Sequence, residues 1–226
     1  MLRIRFMSLV VLTIVATACG NQNKEEDKKK STAQVTDTTA VANTKKNILF
    51  FGTSLTAGYG LDPSEAYPSL IQNKIDALNL PYNVINGGLS GETSAGGKGR
   101  IDWLLKQPID IFVLELGAND GLRGLPLSDL KKNLQTIIDR VKTKYPNAKL
   151  LLAGMQIPPN MGKDYSEEFK ALFPEIAEKN NMVLIPFLLD KVGGVPKLNQ
   201  ADGIHPTAEG DKILARNVWA VLKNVL

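Results

Sequence analysis

Short apolar runs recur along the chain from residue 47 onward, and the first four are followed directly by Gly or Asn. They lie at residues 47–51, 82–85, 109–116, 149–153 and 182–187. Apolar runs of this length without polar alternation are typical of buried strands in a parallel sheet. The pattern therefore predicts five parallel strands.

Between the runs, apolar residues recur at the spacing of amphipathic helices. The four stripes are Tyr67, Leu70, Ile71, Ile75 and Leu78; Leu130, Leu134, Ile137, Ile138 and Val141; Tyr165, Phe169, Leu172, Phe173 and Ile176; and Ile213, Leu214, Val218, Leu222 and Val225. We expect Ser128 to cap the second helix and Pro174 to kink or divide the third. Strands that alternate with helices predict an α/β fold, a three-layer α/β/α sandwich with a five-stranded parallel sheet.

The first 18 residues have the features of an export signal. Arg3 and Arg5 precede an apolar segment over residues 7–16, and small residues follow it before Cys19. The apolar segment is shorter than the roughly 20 residues that span a bilayer, so cleavage is favoured over a permanent transmembrane helix. We therefore predict a signal peptide over residues 1–18.

Residues 20–46 are rich in polar and charged side chains and contain no aromatic residue, so we expect residues 19–46 to be a disordered tether. The formal net charge is +4, but Lys and Arg balance Asp and Glu from residue 47 onward. The folded part thus offers no argument for a nucleic-acid partner.

The chain has one Cys, which excludes an intramolecular disulfide and a thiolate metal cluster. The remaining residues, 47–226, suffice for one domain.

Chemically suggestive residues follow the predicted strands, where parallel sheets bind ligands. Ser54 comes directly after the first strand, on a turn that would present its hydroxyl as a nucleophile. The alternative is that Ser54 or Thr53 only caps the next helix. His205, the single histidine, follows Asp202 by three residues, so the carboxylate could orient the imidazole as a base. The alternative there is that Asp202 forms an Asx turn.

Two further strand ends carry groups able to donate to a developing negative charge. Gly91 offers an unobstructed backbone N–H, and Asn119 offers a side-chain amide. Both residue types are also ordinary turn formers, which is the alternative for each. The loop at residues 155–164 could border an acyl pocket or be a plain connection. A hydroxyl, a base, an orienting carboxylate and oxyanion donors together favour acyl transfer.

Four ordered blocks in the chain resemble those of the SGNH-hydrolase (GDSL-lipase) superfamily. The blocks are Gly-Thr-Ser-Leu at 52–55, Gly91, Gly-Ala-Asn-Asp at 117–120 and Asp-Gly-Ile-His-Pro at 202–206. The resemblance covers essentially all of residues 47–226 and is greatest to the bacterial multifunctional esterases with thioesterase I, protease I and lysophospholipase activity. It implies the flavodoxin-like form of the sandwich. Residues 16–19 also resemble the lipobox of bacterial lipoproteins, which implies lipidation of Cys19.

The resemblance implies roles for individual residues. Ser54 would be the nucleophile, His205 the base and Asp202 its orienting carboxylate, while the oxyanion hole would consist of Ser54, Gly91 and Asn119. The loop that begins with Gln156, Ile157 and Pro158 would border the acyl chain. Thr53 stands where the family commonly has Asp, and we expect altered turn stability or rate with the same reaction type.

The prediction is a serine esterase that hydrolyses lysophospholipid, acyl or aryl esters, or thioesters, through an acyl-enzyme. No metal or cofactor is expected, and the enzyme is expected to be a monomer, exported and anchored by lipid to the bacterial cell envelope. Two alternatives stay open. One is a carbohydrate O-deacetylase on the same fold, and the other is a surface lipoprotein that binds a ligand without turnover.

Overall fold

A computed structural model describes residues 45–226, apart from the side chain of Pro159. The predicted signal peptide, Cys19 and almost all of the predicted tether lie outside the described residues. The first strand begins at Lys46, one residue before the predicted start of the folded domain at residue 47.

The centre of the described structure is a parallel sheet of five strands. They are β1 (Lys46–Gly52), β2 (Tyr82–Gly88), β3 (Ile111–Glu115), β4 (Lys149–Ala153) and β5 (Val183–Ile185). Their order in the sheet is β2-β1-β3-β4-β5, which is the flavodoxin-like order. The predicted parallel sheet is confirmed, with β5 shorter than the predicted run of residues 182–187. Because β1 lies between β2 and β3, the segments that follow these three strands are neighbours at one edge.

Helices connect the strands and cover the sheet. They are α1 (Ser54–Ala57), α2 (Tyr67–Ala77), α3 (Ser94–Leu104), α4 (Ala118–Leu122), α5 (Leu127–Lys144), α6 (Lys163–Lys179) and α7 (Ala208–Leu222). Short 3₁₀ turns occur at Pro159–Met161 and Pro196–Leu198. None of these helices combines the length and hydropathy that crossing a membrane requires.

Two adjacent phenylalanines in β1 define the two faces of the sheet. Successive strand side chains point to opposite faces. Phe50 contacts Tyr67 of α2 edge to face, with ring centroids 5.6 Å apart, and α2 in turn packs against α7. Phe51 stacks with Phe112 at 5.9 Å and lies beside Gly97 of α3, which packs against α5. The helices thus cover both faces, and the predicted three-layer sandwich is confirmed.

Two local features of the helices differ from the predictions. Ser128 does not cap α5, because that helix begins at Leu127 with Pro126 as its N-cap residue. The predicted division at Pro174 is wrong, because α6 is one helix from Lys163 to Lys179 with the proline inside it. Phe173, next to the proline, is fully buried and packs against Phe169, so tertiary contacts outweigh the local cost of the missing N–H.

The N-terminus of α2 receives its cap from another helix. Ala66, at the N-cap position, has no side chain able to accept a hydrogen bond. Instead Asp211 of α7 accepts the Tyr67 backbone N–H at 3.1 Å, and this carboxyl is almost completely buried. Its burial raises the pKa of Asp211 to about 7. Asp211 therefore joins α2 to α7 through a buried acidic group.

We expect Phe50→Ala to lower the free energy of unfolding by about 3–5 kcal/mol, because the substitution removes a fully buried ring and leaves a cavity. Urea unfolding followed by circular dichroism measures the change. The control is Leu78→Ala, which alters a side chain that is 54% exposed and should change stability by less than about 0.5 kcal/mol. Equal losses in the two variants would contradict the packing described for β1 and α2.

Candidate active site

The turn after β1 separates capping from the candidate nucleophile. Thr53 is the N-cap residue of α1, and its Oγ1 accepts the Leu55 backbone N–H at 3.4 Å. Ser54 is the first residue of the helix, so its backbone N–H has no intrahelical acceptor. Its hydroxyl is not used in the cap and lines a surface cavity. The capping role proposed as an alternative therefore belongs to Thr53.

The side chain of Ser54 meets the only histidine of the chain. His205 Nε2 lies 2.9 Å from Ser54 Oγ, although the two residues are 151 positions apart in sequence. His205 is partly buried, and its ring packs against Tyr59 with centroids 4.6 Å apart. The predicted meeting of hydroxyl and imidazole is thus present.

Asp202 fixes the other nitrogen of the same imidazole. His205 Nδ1 lies 2.7 Å from Asp202 Oδ2, while Asp202 Oδ1 accepts the backbone N–H groups of Ile204 and His205, each at 3.0 Å. The hydrogen bond from the imidazole, followed by those from the two backbone N–H groups, lowers the pKa of Asp202 to about 2. An ionised carboxylate accepts only, so Nδ1 carries the proton and Nε2 is free to accept from the serine hydroxyl. Asp202 forms its local turn and orients His205 at the same time.

The loop that carries His205 is fastened to the segment after Ser54 by Gln200, which the sequence analysis did not single out. Gln200 Nε2 donates to the Tyr59 carbonyl at 2.7 Å and to the Pro206 carbonyl at 2.9 Å. The Gln200 backbone N–H also donates to the His205 carbonyl at 2.7 Å. These bonds connect two regions far apart in sequence, and no local motif marks them.

The two predicted oxyanion donors lie on either side of Ser54. Gly91 follows β2 and Asn119 follows β3, and both line the same cavity as Ser54. Gly91 has φ +77°, a value that favours glycine, and an added Cβ would meet nothing within 4 Å. The backbone conformation, and not a lack of space, therefore favours glycine here. Asn119 Nδ2 donates one hydrogen to the Glu92 carbonyl at 2.9 Å, which orients the amide and leaves its second N–H for a ligand.

Two arginines stabilise the loop that carries Gly91. The Arg100 guanidinium forms a two-pronged ion pair with the buried Glu92 carboxylate and donates to the Gly87 carbonyl at 2.8 Å. Arg123 donates to the Gly91 carbonyl at 3.0 Å. Bidentate pairs of this kind fix geometry as well as charge. Both sides of the loop are thus held in place.

A cavity of about 450 Å³ opens beside Ser54 and His205. The predicted loop residues Gln156, Ile157 and Pro158 line it. Its other apolar lining residues include Leu55, Ala118, Leu122, Met155, Phe187, Leu189 and Ile204. The volume falls within the range of small-molecule sites, about 300–1,000 Å³. Within residues 45–226 no group of three or more His, Cys, Asp or Glu side chains is arranged to hold a metal ion.

A buried carboxyl that was not predicted from the sequence lies directly beneath the serine turn. Glu115, the last residue of β3, is completely inaccessible and accepts hydrogen bonds from Thr53 and Thr56. Desolvation raises the pKa of Glu115 to about 7, against the lowering effect of those hydrogen bonds. The available signal was a single carboxylate in the otherwise apolar sequence Ile-Phe-Val-Leu-Glu-Leu at residues 111–116.

The GDSL-like Lipase/Acylhydrolase family matches residues 50–213, which include every described candidate residue from Ser54 to His205. The chain belongs to this family. It is therefore an enzyme that hydrolyses ester bonds, and the predicted relationship to the SGNH hydrolases is confirmed. The site described above lies in the part of the chain that the family shares.

Individual members of the GDSL family are similar over most of the chain. "Esterase TesA" of Pseudomonas aeruginosa is 40% identical over 182 residues, covering 80% of this chain and 90% of that protein. "Thioesterase 1/protease 1/lysophospholipase L1" of Escherichia coli is 38% identical over 169 residues, covering 74% of this chain and 79% of that protein. Among solved structures, the chain is similar to the psychrotrophic esterase EstA from Pseudoalteromonas sp., crystallised with monoethylphosphonate as inhibitor. The sequence identity is 36% and the TM-score is 0.75, and the match covers 80% of this chain and 98% of that one.

The buried carboxyl predicts a pH dependence of stability. The pKa of Glu115 is about 7 when folded and near the ordinary value of about 4.3 when unfolded. The contribution of Glu115 to the free energy of unfolding is therefore fully present below about pH 4. It is lost as the pH rises through 7, because the unfolded chain then releases a proton that the folded chain retains. Thermal unfolding measures Tm at pH 5 and at pH 8, and the difference between these two Tm values should be smaller for Glu115→Gln than for wild type. An unchanged difference would contradict the assignment.

Proposed function

We propose that the enzyme hydrolyses carboxylic esters of medium or long acyl chains by two-step acyl transfer on Ser54. The observation that supports this most strongly is the continuous hydrogen-bonded series Asp202, His205, Ser54 at the mouth of an apolar cavity. A serine hydroxyl is a weak nucleophile at neutral pH and needs an adjacent oriented base. The three side chains supply that arrangement.

In the first step Ser54 Oγ attacks the ester carbonyl carbon, and His205 Nε2 takes the hydroxyl proton. The carbonyl π electrons move to oxygen, which becomes an oxyanion that accepts from the N–H groups of Ser54 and Gly91 and from the Asn119 amide. Collapse of this intermediate breaks the bond to the alcohol, which leaves with the proton from Nε2. Asp202 stays ionised and stabilises the imidazolium in between.

In the second step water attacks the acyl-enzyme with His205 again as base. The carboxylic acid leaves, and Ser54 Oγ recovers its proton. Donors aimed at the developing oxyanion supply a large part of such catalysis, and removing one typically lowers kcat by about 10²–10³-fold. No step needs a group other than the chain, the ester and water.

The lining of the cavity favours acyl chains over sugars as the part of the substrate that is bound. Leu122, Ile157, Phe187 and Leu189 present hydrocarbon and no charge, and a lysophospholipid or another lipid ester fits such a surface. One similar protein is a lysophospholipase and thioesterase by name. Export would separate the enzyme from coenzyme A thioesters, which are cytoplasmic, and this favours envelope esters.

Ser54→Ala should lower kcat for a p-nitrophenyl ester by a factor on the order of 10⁶, because the nucleophile is lost while the cavity remains. Ser128→Ala changes an exposed serine of α5 outside the cavity and is the matched control, with unchanged kcat. A fluorophosphonate probe should label wild type and the control but not Ser54→Ala. Substantial turnover by Ser54→Ala would contradict the proposed nucleophile.

A series of p-nitrophenyl esters from acetate to laurate distinguishes the acyl esterase from the carbohydrate O-deacetylase. The apolar cavity predicts that kcat/KM rises from the acetyl ester to medium chains, because each added CH₂ that is buried contributes about 0.8 kcal/mol. A deacetylase would be fastest with acetate and would lose activity with each longer ester. That result would favour the alternative.

We further propose that the mature protein is exported and anchored by lipid at Cys19, which lies outside the described residues. The support is the sequence alone, with two arginines, an apolar segment and small residues before Cys19. Wild type expressed in bacteria should stay in the membrane fraction after a high-salt wash. Cys19→Ala should be lost from that fraction, whereas the tether control Ser31→Ala should remain. Retention of Cys19→Ala would contradict the anchor.

A further inference from the structure

Glu115 lies beside Gly52 where β3 and β1 end, because these two residues are partners in the sheet register. Ser54 follows Gly52 by two positions, so the carboxyl is beneath the turn that presents the candidate nucleophile. Gly52 has no space for a side chain: an added Cβ would lie 2.1 Å from Thr56 Oγ1 and 2.5 Å from Glu115 Oε2. The backbone of the turn is therefore packed directly on this carboxyl.

The hydrogen bonds to Glu115 come from the residues on both sides of Ser54. The Thr53 backbone N–H and Thr56 Oγ1 both donate to Oε2 at 2.8 Å, and Thr53 Oγ1 donates to Oε1 at 3.0 Å. The Tyr67 hydroxyl lies 2.8 Å from Thr56 Oγ1 and donates to it, because the threonine proton is already used. One carboxyl thus determines the conformation of the turn before and after Ser54.

The same bonds leave the Ser54 backbone N–H available. The Thr53 N–H, its neighbour, is occupied by Glu115, whereas the Ser54 N–H begins a helix and has no intrahelical acceptor. The turn conformation that points one N–H down to Glu115 therefore determines where the next N–H and the Ser54 side chain point.

Burial of this carboxyl is costly, which argues for a specific role. A carboxyl removed from water loses solvation that hydrogen bonds only partly replace. Well-packed apolar residues often stabilise a fold as well as or better than buried charged groups do. Stability alone therefore does not account for an acid at position 115, where the flanking residues Leu114 and Leu116 are apolar and fully buried.

We propose that Glu115 is a positioning residue for the reaction, which fixes the turn so that Ser54 Oγ stays within hydrogen-bond distance of His205 Nε2 and the Ser54 N–H faces the oxyanion. This rests on the proposed function of Ser54. Thr53 takes part through its hydroxyl, which donates to Glu115 while accepting from Leu55 N–H.

The substitutions that test the proposal follow from the donor count. Three donors converge on Glu115, and the amide of Glu115→Gln has one acceptor oxygen and an NH₂ group that must face one of them. The turn should then shift without a change in side-chain volume. Thr53→Val removes the hydroxyl at similar size, and Thr53→Ser retains it. Asp211→Asn is the matched control, because Asp211 is also a buried carboxyl with a raised pKa but does not contact the turn.

The experiment measures kcat and KM for a p-nitrophenyl ester, the rate of Ser54 labelling by a fluorophosphonate, and Tm for each variant. We expect Glu115→Gln and Thr53→Val to lower kcat and the labelling rate by about 10–100-fold, because small misplacements of a nucleophile have costs of this size. KM should be nearly unchanged, since the cavity is not altered. Thr53→Ser keeps the hydroxyl and should have a kcat well above that of Thr53→Val. Asp211→Asn should lower Tm while leaving kcat at the wild-type value.

Wild-type kcat in Glu115→Gln would overturn the proposal, as would an equal loss of kcat in Asp211→Asn at a similar Tm. If Glu115→Gln fails to fold, the threonine pair decides, and equal kcat in Thr53→Val and Thr53→Ser overturns it. These results are distinguishable from failure of the proposed function. Turnover in Ser54→Ala refutes the nucleophile, whereas inactive Ser54→Ala beside fully active Glu115→Gln refutes only the positioning role.

Discussion

The hydrogen bond between Ser54 Oγ and His205 Nε2 is the constraint on which the rest of the site depends. It joins the turn after the first strand to a loop near the end of the chain, 151 positions later, at 2.9 Å. A bond of that length between distant segments needs both ends to be fixed independently. The β-sheet fixes the serine end through β1, which lies between β2 and β3, and Gln200 and Asp202 fix the histidine end. The fold thus serves the site by limiting the motion of both partners.

Buried polar groups provide the finer control of this geometry. Glu115 lies under the serine turn, Glu92 with Arg100 stabilises the loop of Gly91, and the Asn119 amide is oriented by a backbone carbonyl. Each of these groups is removed from bulk water to some degree, where a hydrogen bond is electrostatically stronger and an unsatisfied group is more costly. No buried side-chain nitrogen or oxygen in the described residues lacks a partner. This arrangement suits a site that must not reorganise during reaction.

The parallel sheet and the residues at its strand ends were predictable, because both depend on patterns that recur locally in sequence. Apolar runs located the strands, and Ser54, Gly91, Asn119, Asp202 and His205 each follow one. What could not be predicted depends on tertiary contacts. Helix α3 was not predicted, because Gly96, Gly97 and Gly99 lower its intrinsic helix propensity. Gly97 lets the helix pack closely on Phe51, and this contact is visible only in the structure. Glu115 was hidden within an apolar run, and Gln200 acts on a residue 141 positions away.

A crystal structure of the enzyme after reaction with a phosphonate ester tests the account most directly, because the tetrahedral phosphorus resembles the intermediate of ester hydrolysis. We expect phosphorus to be bonded to Ser54 Oγ, with His205 Nε2 still adjacent to that oxygen. We also expect one phosphonyl oxygen to lie about 2.7–3.1 Å from the backbone nitrogens of Ser54 and Gly91 and from Asn119 Nδ2. Attachment to another residue, or a phosphonyl oxygen directed to solvent away from all three donors, would contradict it.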